Sequence, residues 1–301
     1  MNLGKAWGIL LMARPLVLVP PFFSWLMGVG MAYYEGFDVQ TLGVYIGLAA
    51  MLLTVASIHY VNEYADFRTD ELTVRTPYSG GSGAIKSGLA NRKTALTAGS
   101  ITLVLGLGLG AYSLLNGNTA SSAIVILVLG AFGGWMYSLR PLKLAWRGLG
   151  EIDNALLGGI LLPIYGYSTA AGGVKTWVMV ASIPFTLLVF ANLLAVTWPD
   201  RKADRAAGKF TLATMWTPSR LKILFGAVNA AAYVILLSLN NVVVPTTVMY
   251  AGLLALPFTI HGSMYYTRNL IASSTVWAMM VMVIFQDLAW FYVHSISPIF
   301  L

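Results

Sequence analysis

A chain of 301 residues that is 58% hydrophobic and only 10% charged holds less than half the charged fraction of a soluble domain, which is about 25%, and its mean hydropathy of +0.75 leaves too little polar surface to cover a water-soluble fold. With no cysteine, disulfides, thiolate metal centres and thiol nucleophiles are excluded. The net charge of +7 suits anionic lipid headgroups and anionic substrates and requires no nucleic-acid partner.

In chain order, Met1 to Trp7 carries a single Lys5 and leads into an apolar run that contains Arg14-Pro15. The run is too long for a cleavable signal and lacks a small-residue cleavage site, so it reads as a retained first span. Stretches of about 20 apolar residues, enough to cross the bilayer core, recur at 9–34, 42–62, 92–115, 120–138, 150–172, 176–198, 219–239, 244–262 and 271–293. Lipid demands internal hydrogen bonding, and runs of this length favour helices over barrel strands. The expectation is an all-α, polytopic membrane protein with nine transmembrane helices. A cytoplasmic N-terminus puts every Lys and Arg except Lys175 on the inner side, as positive-inside topology requires, and leaves Glu35, Asp38 and Lys175 in the opposite loops. The whole chain, 1–301, reads as one membrane domain, with cytoplasmic loops 63–91 and 199–218 capping a site.

The second stretch ends in Asn62-Glu63-Tyr64-Ala65-Asp66-Phe67-Arg68-Thr69-Asp70. Residues four apart share a helix face, so Asn62, Asp66 and Asp70 form an oxygen ladder. After the sixth stretch, Asp200 and Asp204 repeat the spacing. Two carboxylates about 6 Å apart at an effective dielectric near 20 repel by roughly 3 kcal/mol, so each ladder needs positive charge. Arg68, Arg201, Lys202 and Arg205 provide the ordinary answer of interfacial charge pairing. Two ladders on one membrane face favour the other answer, Mg²⁺ bound by carboxylates together with substrate phosphate oxygens.

Asn62 to Asp70 is similar to the first N-x-x-x-D-x-x-x-D motif of the UbiA family of intramembrane prenyltransferases, and Asp200 to Asp204 resembles its second motif. Arg205-Ala206-Ala207-Gly208-Lys209-Phe210-Thr211-Leu212, Ala13-Arg14-Pro15, Tyr137 to Lys143 and Gly148 to Glu151 resemble further family stretches. The resemblance implies a UbiA-like helical bundle. It also implies Mg²⁺-dependent transfer of a prenyl group from an isoprenyl diphosphate to an aromatic acceptor, at the cytoplasmic face of a prokaryotic cell membrane. Ser79-Gly80-Gly81-Ser82-Gly83 and the Arg-Ala-Ala-Gly-Lys segment look most like the branch that prenylates 1,4-dihydroxy-2-naphthoate in menaquinone synthesis. Val196 stands where members often carry Asn. Other acceptors, terpene cyclisation and, from a different class, membrane transport are the competing readings.

The metal ligands implied are Asp66, Asp70, Asp200 and Asp204, with Asn62 as a further oxygen donor. Arg14, Arg68, Lys86, Lys143, Arg205 and Lys209 are the cations expected to assist the diphosphate, each of which also fits a positive-inside anchor. Tyr137 is the aromatic expected to face a developing carbocation, since a ring attracts cations without being a good nucleophile. Asp153 is a candidate general base, and no role is assigned to Asp287.

Overall fold

The computed structural model describes residues 3–270 and 272–296. The expected start of the ninth span at 271 lies outside the described residues. Among the described residues every element is helical, and isolated bridges such as Arg147 to Phe210 are the only extended pairings. Among the described residues seven helical segments, the first of them Leu3–Tyr34, are long and apolar enough to cross a membrane.

The first expected span is two helices, α1 (Leu3–Ala13) and α2 (Val19–Tyr34), joined by a 3₁₀ turn at Pro15–Leu18. Pro15 lacks an N–H and disfavours the α region for the residue before it, and Arg14 accordingly sits at φ 50°. Helix α3 (Leu42–Leu72) begins at Thr41, whose hydroxyl accepts from the Val44 N–H. It does not end at residue 62 but runs on to Leu72, 31 residues in all, about 46 Å at 1.5 Å per residue, against a hydrocarbon core of about 30 Å. The first aspartate motif is therefore the helical extension of a span, and the expected 63–91 loop shrinks to the segment after Leu72.

Helices α4 (Arg92–Leu115) and α5 (Ser121–Ser138) pack on α3. The fifth expected span is continuous helix, made of α6 (Gly150–Ala155), a π-turn at Leu156–Leu161 and α7 (Leu162–Ala171). Helices α2 and α7 pack very closely, because a methyl on Gly28 would lie 1.8 Å from the Pro163 carbonyl oxygen and one on Gly166 would lie 2.0 Å from that of Trp25. Small residues let membrane helices associate in this way.

Helix α8 (Thr176–Thr197) is the most enclosed span, with 56% of its apolar window buried against 22% in α4. After it come the short α9 (Arg201–Ala206) and α10 (Leu212–Met215), which give the expected 199–218 loop helical structure. Helix α11 (Pro218–Ser238) packs on α8. The eighth stretch is divided into α12 (Thr246–Leu253) and α13 (Leu256–Tyr265), with Pro257 in the first turn of the second part. Helix α14 (Ser273–Ile296) closes the bundle against α2, α8, α12 and α13. Apolar side chains such as Val104, Leu129, Phe132, Ile223, Val234 and Leu288 face outward, the surface a bilayer covers.

Candidate active site

The C-terminal end of α3 meets α9, so the two aspartate motifs come together although they are far apart in the chain. The contact between them is Lys209. Its Nζ lies 2.7 Å from Asp66 Oδ2 and 3.7 Å from Asp204 Oδ1. The local reason is the end of α9. Gly208 takes φ +76°, its N–H donates to the Arg205 carbonyl at 3.2 Å, and the Lys209 N–H donates to the Asp204 carbonyl at 2.8 Å. This is a Schellman cap, which needs a left-handed residue and favours glycine. The turn folds Lys209 back over its own helix toward Asp204, and the Phe210 N–H then pairs with the Trp146 carbonyl at 3.3 Å.

Asp66 is 5% exposed and fully engaged. Besides Lys209, it accepts from Trp146 Nε1 at 3.1 Å and from Asn62 Nδ2 at 3.0 Å. Asn62 also reaches Ser138 Oγ at 3.3 Å, and turning its amide would present oxygen instead of nitrogen. Asp70 is partly buried and faces the glycine loop so closely that a methyl on Gly81 would fall 2.2 Å from its Oδ2. The Ser79 side chain and the Gly80 N–H of the same loop favour the charged form of Asp200, while its Oδ1 is buried without a partner among the described residues. Loop 79–83 is thus a strap between the two motifs.

Glu63 holds the strap. Buried to 2%, it accepts from the Ser82 N–H and Oγ, each at 2.7 Å, and from Arg14 Nε at 2.9 Å. Arg14, expected at the diphosphate, is anchored to this carboxylate. Lys86 is exposed and donates to the Glu71 carbonyl at 3.1 Å and the Thr73 carbonyl at 3.4 Å, closing the end of α3. Lys143 sits with φ 50° and its Nζ 3.3 Å from the centre of the Trp146 ring, beside the indole that bonds Asp66. Tyr137, at the end of α5, lies within electrostatic reach of Lys209, Glu151, Asp66 and Asp153. Arg68 is exposed over the Phe67 ring. Arg205 is exposed too, and lines a groove with Arg201 and Lys202. Arg92 covers the rings of Tyr64 and Phe67 at 4.4 and 4.0 Å.

Sequence alone does not single out Trp146, Glu63 or Ser79 as site residues. Trp146 carries no motif signal. Glu63 stands inside the first motif, and pairing a buried carboxylate with the isolated Arg14 was the available clue.

Electrostatically the site is short of positive charge. Burial drives the Asp204 carboxyl up to about 7, and Asp66 and Asp200 add to this while Lys209 opposes it. Burial also raises Asp200, against the bonds from Ser79 and Gly80 and the pull of Lys209. Burial works against the Lys209 ammonium, yet Asp66 and Asp204 outweigh it and hold its pKa above the ordinary value. One ammonium set among four carboxylates, with one carboxylate oxygen orphaned, fits a hard cation that prefers oxygen ligands. Among the described residues no three acidic or histidine side chains converge closely enough to hold a metal alone.

The UbiA prenyltransferase family matches residues 22–283. The chain belongs to the UbiA prenyltransferase family. It is a prenyltransferase by this membership and by its likeness to the 1,4-dihydroxy-2-naphthoate octaprenyltransferase of Bacillus subtilis, 23% identical over 271 residues, which cover 89% of this chain and 85% of that one. It is also similar to the UbiA prenyltransferase domain-containing protein 1 of Dictyostelium discoideum, 25% identical over 79% of this chain and 72% of the relative. The UbiA fold is further evident in a UbiA homologue from Archaeoglobus fulgidus bound to GPP and Mg²⁺. That structure superposes with a TM-score of 0.68 at 17% identity, covering 96% of this chain and all of that one.

Proposed function

We propose that this UbiA enzyme transfers a prenyl group from an isoprenyl diphosphate to 1,4-dihydroxy-2-naphthoate, with Mg²⁺ as cofactor. The reading rests on one observation, the meeting of Asp66 and Asp204 across Lys209. The naphthoate is favoured by the B. subtilis relative and by the glycine strap, and the metal and the prenyl diphosphate by the ligands of the A. fulgidus homologue.

Asp66, Asp70, Asp200 and Asp204 are the residues that would hold Mg²⁺, with Asn62 as a further oxygen. When bound, the metal supplies Lewis-acid neutralisation of the diphosphate, making it a better leaving group. Lys209 lies where it can give up part of its pairing with Asp66 and donate to a phosphate oxygen, an ammonium being a suitable phosphate partner. The strap, pinned by Glu63, covers Asp70 and Asp200 and keeps water from the reacting carbon. Tyr137 offers a ring face to positive charge developing at the allylic carbon. Lys143 and Lys86 add positive potential at the mouth of the site.

The same reading takes residues 1–301 as one domain with nine membrane crossings, the fifth through the π-turn and the eighth through α12 and α13. The N-terminus and both motifs face the cytoplasm of a bacterial cell membrane, an orientation supported by the distribution of Lys and Arg.

The test is mass spectrometry of products formed by purified enzyme from an isoprenyl diphosphate, Mg²⁺, and either 1,4-dihydroxy-2-naphthoate or 4-hydroxybenzoate. Prenylated naphthoate with stoichiometric diphosphate release is expected. Product from the benzoate alone would move the acceptor, and diphosphate release without an acceptor adduct would point to cyclisation.

A further inference from the structure

Arg201, Lys202 and Arg205 share one face of α9, and Trp198, at the end of α8, lines the same groove. Asp200 and Asp204 lie on another face of the same short segment, turned toward α3 and Lys209. The basic face opens onto a groove of about 360 Å³ between α9, α10 and the start of α11, with Met215 and Trp216 on its other side.

The groove is built around positive charge. The Arg201 guanidinium lies 3.7 Å from the centre of the Trp198 ring and donates to the Trp198 carbonyl at 2.7 Å, so it is fixed to the wall. Lys202 and Arg205 are exposed and make no ion pair among the described residues. No acidic residue lines the space. Trp198 is 5% exposed, and its indole Nε1–H is buried without an acceptor among the described residues. Three cations lining a groove that holds no carboxylate make an anion the ligand it suits.

The place of the groove identifies that anion. Met215 and Trp216 are 46% and 39% exposed at its edge, and Pro218 begins α11, one of the membrane-crossing helices. The groove therefore lies where the polar surface gives way to the apolar belt, at headgroup level. Basic pockets at such positions take anionic lipid headgroups, and guanidinium groups match phosphate geometry. We propose that the Trp198–Arg201–Lys202–Arg205 groove binds the phosphate of an anionic membrane lipid, whose acyl chains run over Met215 and Trp216.

Native mass spectrometry of the full chain, titrated in detergent with phosphatidylglycerol or phosphatidylcholine, tests this directly. Wild type is expected to retain phosphatidylglycerol in clear preference. The doubly substituted Lys202→Ala, Arg205→Ala protein is expected to bind it about 30-fold more weakly, the product of two interfacial cation contributions. Lys93→Ala removes an exposed charge from α4 and is expected to leave the preference intact. Equal retention of the two lipids, undiminished binding by the double variant or an equal loss in Lys93→Ala overturns the proposal. So does displacement of phosphatidylglycerol by millimolar inorganic phosphate, which would make this a site for a soluble anion.

Discussion

Lys209 Nζ and Asp66 Oδ2 lie 2.7 Å apart although 143 residues separate them in the chain. Both side chains are largely buried, at 12% and 7% exposed. Breaking a buried ion pair by removing one partner costs about 3–5 kcal/mol, because the remaining charge is uncompensated. Lys209→Gln is therefore expected to lower the melting temperature markedly in chelator, and millimolar Mg²⁺ is expected to restore more stability to the variant than to wild type. Thermal melts with and without Mg²⁺ decide the point. Equal Mg²⁺ responses would mean that the ammonium and the metal do not share this position.

Gly81 is held at φ +69°, with no room for a methyl beside Asp70. Gly81→Ala is expected to push Asp70 aside and to lower kcat by about 100-fold, the scale of a 1 Å misplacement in a catalytic site. Helix content by circular dichroism should stay unchanged. A fully active alanine variant would show that the strap does not set the position of Asp70.

Much of this site can be read from residue spacing. Asp66 with Asp70, and Asp200 with Asp204, stand four apart at the ends of apolar runs, and the structure brings the two sets together. Proline also marks the breaks in the first and eighth stretches, at Pro15 and Pro257. The partner of each charge is not carried by spacing. Arg14 reaches Glu63 across 49 residues and Ser82 reaches it across 19, and Trp146 finds Asp66 only because its 3₁₀ turn is stitched to Phe210. Spacing also does not show that Arg205 lines one groove with Arg201 and Lys202.

Glu35 gathers Lys175 at 2.7 Å, Trp177 at 3.3 Å and the Tyr167 hydroxyl at the opposite end of the bundle from the motifs. Burial works to raise this carboxyl, but the bonds from Lys175, Tyr167 and Trp177 outweigh it and hold the pKa below its ordinary 4.5. A depressed carboxylate contributes stability that is present above the unfolded value and is lost as pH falls through the folded one. Wild type should therefore lose an increment of melting temperature below about pH 4.5, and Glu35→Gln should lack that increment. Parallel melting curves against pH in the two proteins would contradict the assignment.

Asp66→Ala and Asp200→Ala are each expected to abolish turnover, since each removes one of the proposed metal ligands, and the first also leaves Lys209 without its nearer partner. Initial rates at saturating Mg²⁺ measure this. Substantial activity in either variant would count against metal binding at that motif.

If both motifs grip one diphosphate through Mg²⁺, calorimetry with an unreactive prenyl thiodiphosphate will show it as metal-dependent binding. One equivalent should bind only with Mg²⁺ present. Asp66→Asn and Asp204→Asn should each weaken binding by about 100-fold or more, beyond the roughly 10–100-fold cost of losing a supporting outer-shell partner, and the double variant should be little worse than either. Binding without a divalent cation, or wild-type affinity in one of the single variants, would contradict the account.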